Sequence, residues 1–224
     1  QYRSYKGNAG KSKVTIGRLK RNLGNKSHVG LIATNRDYQV GGSGSVVEFD
    51  SLINFMDDYI LDLNYARSDT QEGNVNFIET DDTFAGRTYA MDGESFSGIA
   101  KNFRLRWAVD KANAGIRFSD VSPTYRAHVG FVSRNDYKFR NYWYGRTYRS
   151  KGTIRQVNFR LNNRNRLNSK NEKTLEFYEF QIDLETNFNF TGTIEWQHKP
   201  GEKFNGIQYG EQRDIEIRGQ YHPS

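Results

Sequence analysis

The stretch NFNFTGTIEW, residues 187–196, alternates polar residues with apolar residues or glycine along its whole length. One set of alternate positions holds Phe188, Phe190, Gly192, Ile194 and Trp196. The other set holds Asn187, Asn189, Thr191, Thr193 and Glu195. Because successive side chains of a β-strand point to opposite faces, this period of two predicts a strand with one apolar and one polar face.

The same period recurs in three other stretches, residues 59–66, 102–109 and 157–162. Phe, Tyr and Trp number 15, 14 and 3, and these residues favour strands, whereas the helix-favouring alanine is scarce. We therefore predict an all-β protein of about ten to twelve strands, mostly antiparallel to their sequence neighbours, with little helix. Residues 51–58 also fit a helical spacing, which leaves a short helix or a loop open there.

Two kinds of feature interrupt the alternation. The apolar residues around 175–184 are odd-numbered at Leu175 and Phe177 but even-numbered from Phe180 onward. A β-bulge near Tyr178–Glu179 would keep them on one face, and we expect one there. Clusters of Asn, Gly and Ser predict connecting turns and loops. These clusters occupy residues 68–73, 162–171 and 199–202.

The chain has 224 residues, a net charge of +7 and no cysteine. The absence of cysteine excludes disulfides and thiolate metal sites. Positive and negative residues are interspersed, so the sequence indicates a solvated surface and not a nucleic-acid-binding tail. No stretch has the roughly 18 uncharged apolar residues of a membrane helix, whereas membrane β-strands, whose signal is weaker, stay possible.

Motifs for cofactors and metals lack the context that they need. Residues 7–12 miss the first glycine and the flanking strand and helix of a phosphate-binding loop, and residues 41–44 are interpreted as a turn. The acidic pairs Asp57–Asp58 and Asp81–Asp82 lie in predicted connectors. No histidine has the spacing of a zinc site; the four are His28, His128, His198 and His222. We therefore expect no metal, nucleotide or covalent cofactor.

Charged and amide side chains occupy polar positions within strands whose other face is rich in aromatic residues. These positions are Arg104, Arg106, Asn158, Arg160, Asn162 and Glu195. In a soluble sandwich this face would be wet, whereas in a closed barrel it would line the lumen and act on polar solutes such as anionic sugars. The residues alone leave both arrangements open.

Three segments resemble the signatures of a known family. Residues 17–36, GRLKRNLGNKSHVGLIATNR, resemble its R-x-x-R-D-L-G…S-x-V-G-x-x-x-T-x-R signature. Residues 118–137, FSDVSPTYRAHVGFVSRNDY, resemble its P-x-F-x-x-D-x-G-F-v-x-R-x-D signature, and residues 40–44 resemble the glycine-rich strand between them. The matching positions are Arg18, Arg21, Leu23, Gly24, Ser27, Gly30, Thr34, Arg36, Pro123, Gly130, Phe131, Arg134 and Asp136. Asn22 and His128 stand where the family usually has aspartate.

The family is an uncharacterised β-rich domain of exported bacterial proteins that commonly follows a family-9-like carbohydrate-binding module. The resemblance implies an antiparallel up-and-down β-barrel of outer-membrane type that lies in the bacterial outer membrane and serves glycan handling or transport. It implies the lipid bilayer, polysaccharides or oligosaccharides and other outer-membrane proteins as partners, without nucleic acid or a cofactor. No catalytic residue is established for the family, so none is carried over. The aromatic run Tyr142–Tyr144 suits the girdle at a membrane surface.

Two other functions stay open. The first is a soluble extracellular carbohydrate-binding β-sandwich, in which apolar faces pack together and exposed Trp and Tyr rings bind sugars. The second is a glycoside-cleaving enzyme with one carboxyl group as acid and another as nucleophile. Its candidate residues are Glu176, Glu179, Asp183 and Glu195. An outward-facing apolar face would favour the membrane barrel over the sandwich.

We interpret residues 1–224 as a single domain of β-barrel type. The family's domain is longer than this chain, and Pro223 near the end cannot donate to a strand ladder. We therefore expect a portion of a larger barrel, with further strands before Gln1, after Ser224 or at both ends. The alternative is a small closed barrel of about ten or twelve strands.

Overall fold

The computed structural model describes residues 11–74, 83–88, 90, 92–130, 132–204 and 206–221. Regular structure in these ranges consists of β-strands, without a helix. The prediction of an all-β protein is confirmed for this part of the chain. Accordingly, the described residues contain no helix of the length and apolar character that a membrane crossing requires.

The strands are long and follow one another closely along the chain. In chain order they are β1 (Ser12–Leu23), β2 (Ser27–Tyr38), β3 (Ser43–Phe55), β4 (Tyr59–Gln71), β5 (Thr83–Phe84), β6 (Arg87–Thr88), β7 (Ser95–Val109), β8 (Ala112–Val121), β9 (Tyr137–Arg149), β10 (Ile154–Leu167), β11 (Lys173–Thr186), β12 (Phe190–Lys199), β13 (Glu202–Phe204), β14 (Ile207–Tyr209) and β15 (Gln212–Tyr221).

Eleven of the described strands form one sheet in which spatial order follows chain order: β1-β2-β3-β4-β7-β8-β9-β10-β11-β12-β15. The short pairs β5–β6 and β13–β14 form separate hairpins within the connections from β4 to β7 and from β12 to β15. The sheet is therefore antiparallel and up-and-down, as predicted, with a strand number in the predicted range. β1 and β15 are the first and last strands of this order.

The chain divides into two compact units. The first unit comprises Gln1–Ile53, Leu61–Phe103 and Ser119–Lys138, and the second comprises Asn54–Ile60, Arg104–Phe118 and Phe139–Ser224. In the first unit the buried core consists of Val46, Ala66, Val121 and Tyr125, with Ala100, Ala127, Val132 and Tyr137 packed against it. Because Tyr125 and Ala127 follow β8 in a loop, it is a loop that completes this core.

The expected bulge at Tyr178–Glu179 is absent, and that prediction is wrong. β11 pairs with β10 and β12 in unbroken register through both residues, and the register shifts of the β10–β11 pair lie near its two ends. Phe177 therefore stays on the polar face of the strand. The Arg164 guanidinium lies 4.8 Å from the centre of its ring, and such a cation–π contact accommodates an aromatic ring among polar neighbours.

Two predicted connectors continue as strand. β10 runs to Leu167 and β4 runs to Gln71, so most of residues 162–171 and 68–73 belongs to the ladder. The polar side chains are satisfied by other strands: Arg166 donates to the Thr174 hydroxyl at 2.9 Å. Of the predicted connector 199–202, residues 200–201 lie between β12 and β13, while Lys199 ends β12 and Glu202 begins β13.

Residues 51–58, which fitted both a helix and a loop, are strand followed by a turn. β3 extends to Phe55 and β4 begins at Tyr59. Met56 and Asp57 take positive φ angles of 48° and 56°, which closes a tight hairpin between the two long strands. The pair Asp57–Asp58 thus lies in a connector, as predicted.

Candidate functional site

In the second unit, four neighbouring strands form a sheet region with one apolar and one polar face. β10, β11, β12 and β15 pair in continuous register through their central residues, so these residues align in rows across all four strands. We call three of these rows the apolar rows. They are Val157–Leu184–Gly192–Gly219, Phe159–Ile182–Ile194–Ile217 and Leu161–Phe180–Trp196–Ile215.

The alternate rows on the opposite face are polar, and we call them the polar rows. They are Asn158–Asp183–Thr193–Arg218, Arg160–Gln181–Glu195–Glu216 and Asn162–Glu179–Gln197–Asp214. Four of the residues predicted to face a lumen, Asn158, Arg160, Asn162 and Glu195, lie together in these rows. The prediction that Ile194 and Trp196 face away from Thr191 and Glu195 agrees with the register. Phe188 and Asn189 precede β12, and the Phe188 ring stacks on the Phe190 ring.

The apolar rows are exposed. Ile215 and Ile217 keep 73% and 74% of their surface exposed, and Leu161, Ile194 and Trp196 are exposed as well. Next to these rows, Tyr144 and Tyr148 of β9 border an apolar groove of about 530 Å³. No layer of the described residues covers this face of the second unit.

The polar rows are joined by ion pairs and hydrogen bonds. The Arg160 guanidinium lies 2.6 Å from the Asp183 carboxylate, which also accepts a hydrogen bond of 2.9 Å from the Thr193 hydroxyl. The guanidinium of Arg218 lies 3.2 Å from the Glu195 carboxylate. Such a surface presents amide, guanidinium and carboxylate groups side by side, and these are the groups that bind the hydroxyls of polar solutes.

The four carboxylates considered for glycoside cleavage all have polar partners. Glu179 accepts hydrogen bonds from Arg164 at 3.2 Å and from the Asn162 amide at 3.3 Å. Glu176 lies on the other face of β11, where it accepts hydrogen bonds from the Lys173 ammonium at 2.7 Å and from the Tyr178 hydroxyl at 3.0 Å. Glu179, Asp183 and Glu195 therefore share the polar face of the sheet, whereas Glu176 lies on the opposite face.

Arg104 and Arg106 lie on β7, outside the rows described above. Because they are two positions apart, they share one face of the strand, and Leu105 and Trp107 take the other. Arg106 is exposed and Arg104 is half-buried. The structure therefore keeps the predicted alternation at these positions.

In the first unit, the first family-like segment forms the β1–β2 hairpin. Arg18 of β1 lies 3.3 Å from one carboxylate oxygen of Asp50 in β3, and His28 lies 3.4 Å from the other. Gly30 stands directly opposite Asp50 in the ladder, and a Cβ atom at Gly30 would overlap that carboxylate. Glycine at this position therefore gives the Asp50 carboxylate room to reach both partners.

The other signature positions lie in the same two segments. Arg21 and Leu23 are exposed on β1, Gly24 has a φ of 71° in the following turn, and Ser27 begins β2, which also holds Thr34. Pro123, Gly130, Arg134 and Asp136 lie in the connection from β8 to β9. Phe131, the pair Asp81–Asp82, His222 and most of the glycine-rich segment 7–12 lie outside the described residues.

The two family-like segments meet at His128. Arg36 donates a hydrogen bond of 3.0 Å to the His128 carbonyl oxygen. The Tyr38 hydroxyl lies 3.1 Å from Nδ1 of the ring, and the Thr70 hydroxyl lies 3.3 Å from Nε2. Burial, reinforced by the positive charges of Arg126 and Arg36, lowers the pKa of His128 to about 4. The imidazole is therefore neutral near pH 7.

An acidic cluster lies where the chain after β4 bonds to the chain before β7. Carboxylate oxygens of Glu72, Asp92 and Glu94 all lie within 4.8 Å of one another, and these are the described residues that could share a metal ion. Their oxygen-only set would suit Ca²⁺ or Mg²⁺. Burial and the charges of Asp92 and Glu94 raise the pKa of Glu72 to about 7.

Sequence reasoning missed this cluster and the role of the loop after β8. Glu72 and Glu94 are 22 positions apart with other acidic residues between them, so no spacing marks them. The residues of the sequence that relate to this loop are Gly98 and Gly44. A Cβ atom at either position would overlap atoms of the loop, so glycine is needed where the loop lies against the strands.

The chain was compared with known proteins at three levels. No family model, no curated protein and no solved structure matches it. The geometry of the two faces is therefore the basis for a functional proposal.

Proposed function

We propose that this chain is a membrane-spanning β-sheet protein of the bacterial outer-membrane type, whose strands form barrel wall and whose polar face lines a passage for glycans or other polar solutes. The observation that carries the proposal is the exposure of the apolar rows in the second unit, opposite rows joined by ion pairs. This arrangement is inverted relative to a soluble sheet, which buries its apolar face.

The first unit supports the same proposal independently. Leu19, Leu31 and Phe49 align across β1, β2 and β3, and all three are exposed. The opposite face of these strands holds the Arg18–Asp50 ion pair. Exposed apolar area in water costs about 25 cal/mol per Å², so a contiguous apolar face over several strands calls for an apolar environment such as lipid.

The aromatic residues of β9 are also consistent with a membrane surface. Tyr142, Tyr144 and Tyr148 are exposed on one face of the strand. Arg146 lies between the last two, with its guanidinium 4.9 Å from the centre of the Tyr148 ring. Tyrosine and arginine together suit the zone in which lipid headgroups meet hydrocarbon.

The polar rows favour a polar solute as cargo. Guanidinium, amide and carboxylate groups lie side by side there: the Arg164 guanidinium and the Asn162 amide both donate hydrogen bonds to the Glu179 carboxylate, at 3.2 and 3.3 Å. Hydroxyl-rich molecules bind to such groups, which can both donate and accept. A glycan is the solute class that fits this chemistry and the family resemblance together.

A soluble carbohydrate-binding module is the second candidate. Trp196 is exposed, and the Tyr178 and His198 rings stack beside it at the end of β12. Exposed rings of this kind can serve as platforms for sugars. In that case, however, the remaining apolar rows would need another protein layer to cover them.

Tryptophan quenching by lipid tests the proposal. Trp196 lies in the apolar rows, whereas Trp143 is half-buried and its ring packs over Gly115. Two variants would each keep one of these tryptophans, with phenylalanine at the other two tryptophan positions, and would be reconstituted into vesicles containing phospholipid brominated on its acyl chains. We expect strong quenching of Trp196 fluorescence and weak quenching of Trp143 fluorescence.

Circular dichroism of both variants would verify that each retains the β structure. Equal and negligible quenching of the two tryptophans, together with full solubility in buffer without detergent, would contradict membrane insertion and favour the soluble module. Stronger quenching of Trp143 would reverse the assignment of the two faces.

A further inference from the structure

The loop after β8 folds back across the polar face of the first unit. We call residues 122–130 the docked loop. It makes hydrogen bonds to residues at the end of β2, in β4 and in β7, and it packs against β3. These four strands are consecutive neighbours in the sheet. With strands about 4.8 Å apart, the loop extends over roughly 14 Å of the sheet surface.

The docked loop is joined to β7 by backbone contacts. The Ser122 N–H donates to the Ile99 carbonyl at 2.9 Å, and the Thr124 hydroxyl donates to the Ser97 carbonyl at 2.7 Å. Between these two positions of β7 lies Gly98, where a Cβ atom would overlap the backbone of Thr124 and Tyr125. The absence of a side chain at Gly98 thus allows the loop backbone to lie directly on the strand.

The middle of the docked loop is buried. The Arg126 N–H donates a hydrogen bond of 3.1 Å to the hydroxyl of Ser68, a residue with no exposed surface. The Arg126 guanidinium donates to the Pro123 carbonyl at 2.9 Å and lies 4.6 Å from the centre of the Phe84 ring. The Tyr125 side chain forms part of the unit's core. This burial and bonding distinguish the segment from an ordinary surface loop.

His128 anchors the far end of the docked loop. Its ring fills the space above Gly44, where a Cβ atom would overlap it. Hydroxyl groups from β2 and β4 approach its two nitrogens, and Arg36 binds its carbonyl oxygen. The loop is therefore bound at both ends and in the middle, so its position on the polar face is fixed.

We propose that the docked loop is a constriction that narrows the aqueous passage along the polar face and so limits the size of the solutes that cross. This inference rests on the proposed function, because the polar face lines a passage only if the apolar face meets lipid. A bound loop that covers part of four strands occupies volume that solute and water would otherwise fill. A loop bound this way limits passage without a separate plug domain.

Gly98→Ala would displace the loop without straining the strand. The φ of Gly98 is not positive, so alanine suits the strand itself, and the three atoms nearest to the new methyl group all belong to the loop backbone. Gly17→Ala on β1 is the matched control, because a Cβ atom at Gly17 meets nothing within 4 Å. Tyr125→Ser weakens docking from the loop side and leaves every strand residue unchanged.

Loop position and passage are measured separately. Because the chain has no cysteine, a single Ala127→Cys substitution reports on docking through its rate of maleimide labelling. Passage is measured as single-channel conductance in planar bilayers and as swelling of proteoliposomes in oligosaccharides of increasing length. In the Gly98→Ala and Tyr125→Ser variants we expect labelling and conductance to rise several-fold and the size limit to increase, with Gly17→Ala matching the parent chain.

The outcomes separate the constriction from the membrane proposal. Rapid labelling of Ala127→Cys in the parent chain would overturn docking. Faster labelling in the variants without a change in conductance or size limit would overturn the constriction while the brominated-lipid result stands. Absence of conductance combined with absence of lipid quenching would overturn both proposals together.

Discussion

Glu72 holds its proton more strongly than an ordinary glutamate, because it is partly buried and lies beside the carboxylates of Asp92 and Glu94. One oxygen of Glu72 and one of Glu94 are buried without a hydrogen-bond partner among the described residues. Arg87 approaches Glu94 only to 3.9 Å. The charge of Glu72 is therefore disfavoured, in accord with its raised pKa of about 7.

We expect Glu72→Gln to stabilise the protein at alkaline pH. The folded pKa of Glu72, about 7, lies above its ordinary value of 4.5, so the folded state holds its proton longer than the unfolded state. The associated stability is fully present below pH 4.5 and is lost as the pH rises through 7. Thermal unfolding should show a higher midpoint for Glu72→Gln than for the parent at pH 8, and nearly equal midpoints at pH 4.5.

Asp69→Asn is the control for this prediction, because Asp69 is an exposed carboxylate paired with Arg67. It should lower stability slightly or leave it unchanged at pH 8. If added Ca²⁺ or Mg²⁺ raised the unfolding midpoint of the parent but not of Glu72→Gln, the cluster would be a metal site. Metal binding would then explain why three carboxylates lie together there.

His128 gives the docked loop the opposite pH dependence. Its folded pKa, about 4, lies below the ordinary 6.5, and the charged groups that face it are Arg36 and Arg126. Stability of docking is thus fully present above pH 6.5 and is lost as the pH falls toward 4, by up to about tenfold in the docking equilibrium per pH unit. Maleimide does not suit acid conditions, so labelling of Ala127→Cys with a pyridyl disulfide should accelerate over this window.

The variant His128→Gln tests whether the pH dependence of docking comes from the His128 imidazole. Glutamine keeps a donor and an acceptor for the Tyr38 and Thr70 hydroxyls but does not titrate. Its labelling rate should therefore vary little between pH 6.5 and 4. A variant that kept the full pH dependence of the parent would assign the effect to another group.

At the scale of the strands, the sequence was informative wherever one face is uniformly apolar. The alternation at residues 157–162 and 187–196 predicted both strands and the faces of their residues, because the register confirms Ile194 opposite Ile217 and Phe159 opposite Ile182. Alternation is a property of consecutive residues, so it can be recognised in the sequence without knowledge of the fold.

The predictions from sequence were wrong where contacts with a residue distant in the chain override the local preference of a segment for loop or strand. Residues 162–167 have the composition of a loop but continue β10, because Glu179 and Thr174 of β11 satisfy their amide and guanidinium groups. Phe177 predicted a bulge, but Arg164 covers its ring. The docked loop was beyond prediction for the same reason, since its contacts with the strands join residues 23 to 92 positions apart.

We expect Ile194→Lys to destabilise the protein in lipid, although Ile194 is exposed. A lysine on the lipid face costs about 2–4 kcal/mol near the middle of a bilayer, whereas an exposed substitution in a soluble protein changes stability by about 0.5 kcal/mol or less. Thr191→Lys is the matched control on the polar face of the same strand, near Glu185. Urea unfolding of both variants in lipid vesicles measures the difference, and an equal, small effect of the two lysines would place Ile194 outside hydrocarbon.

At the scale of the whole molecule, the two end strands of the sheet decide whether it can lie in hydrocarbon. β1 and β15 each have one neighbour in the strand order, and every residue of both strands is exposed. In an antiparallel ladder, alternate residues of an end strand direct their N–H and C=O groups away from the neighbour. Water satisfies such groups, but hydrocarbon does not, at a cost of several kcal/mol for each group.

We therefore expect hydrogen exchange of β1 and β15 to differ between detergent and bilayer. In detergent, alternate amides of both strands should exchange quickly, while those of β10 and β11 stay protected on both sides. In lipid nanodiscs, protection should extend to every amide of β1 and β15, because a sheet in hydrocarbon must pair its ends with further strands, whatever chain supplies them. Residue-resolved exchange by nuclear magnetic resonance measures both patterns. Persistent rapid exchange at alternate residues of the end strands in nanodiscs would mean that these edges stay in water, and a membrane-spanning wall built from this sheet would then be excluded.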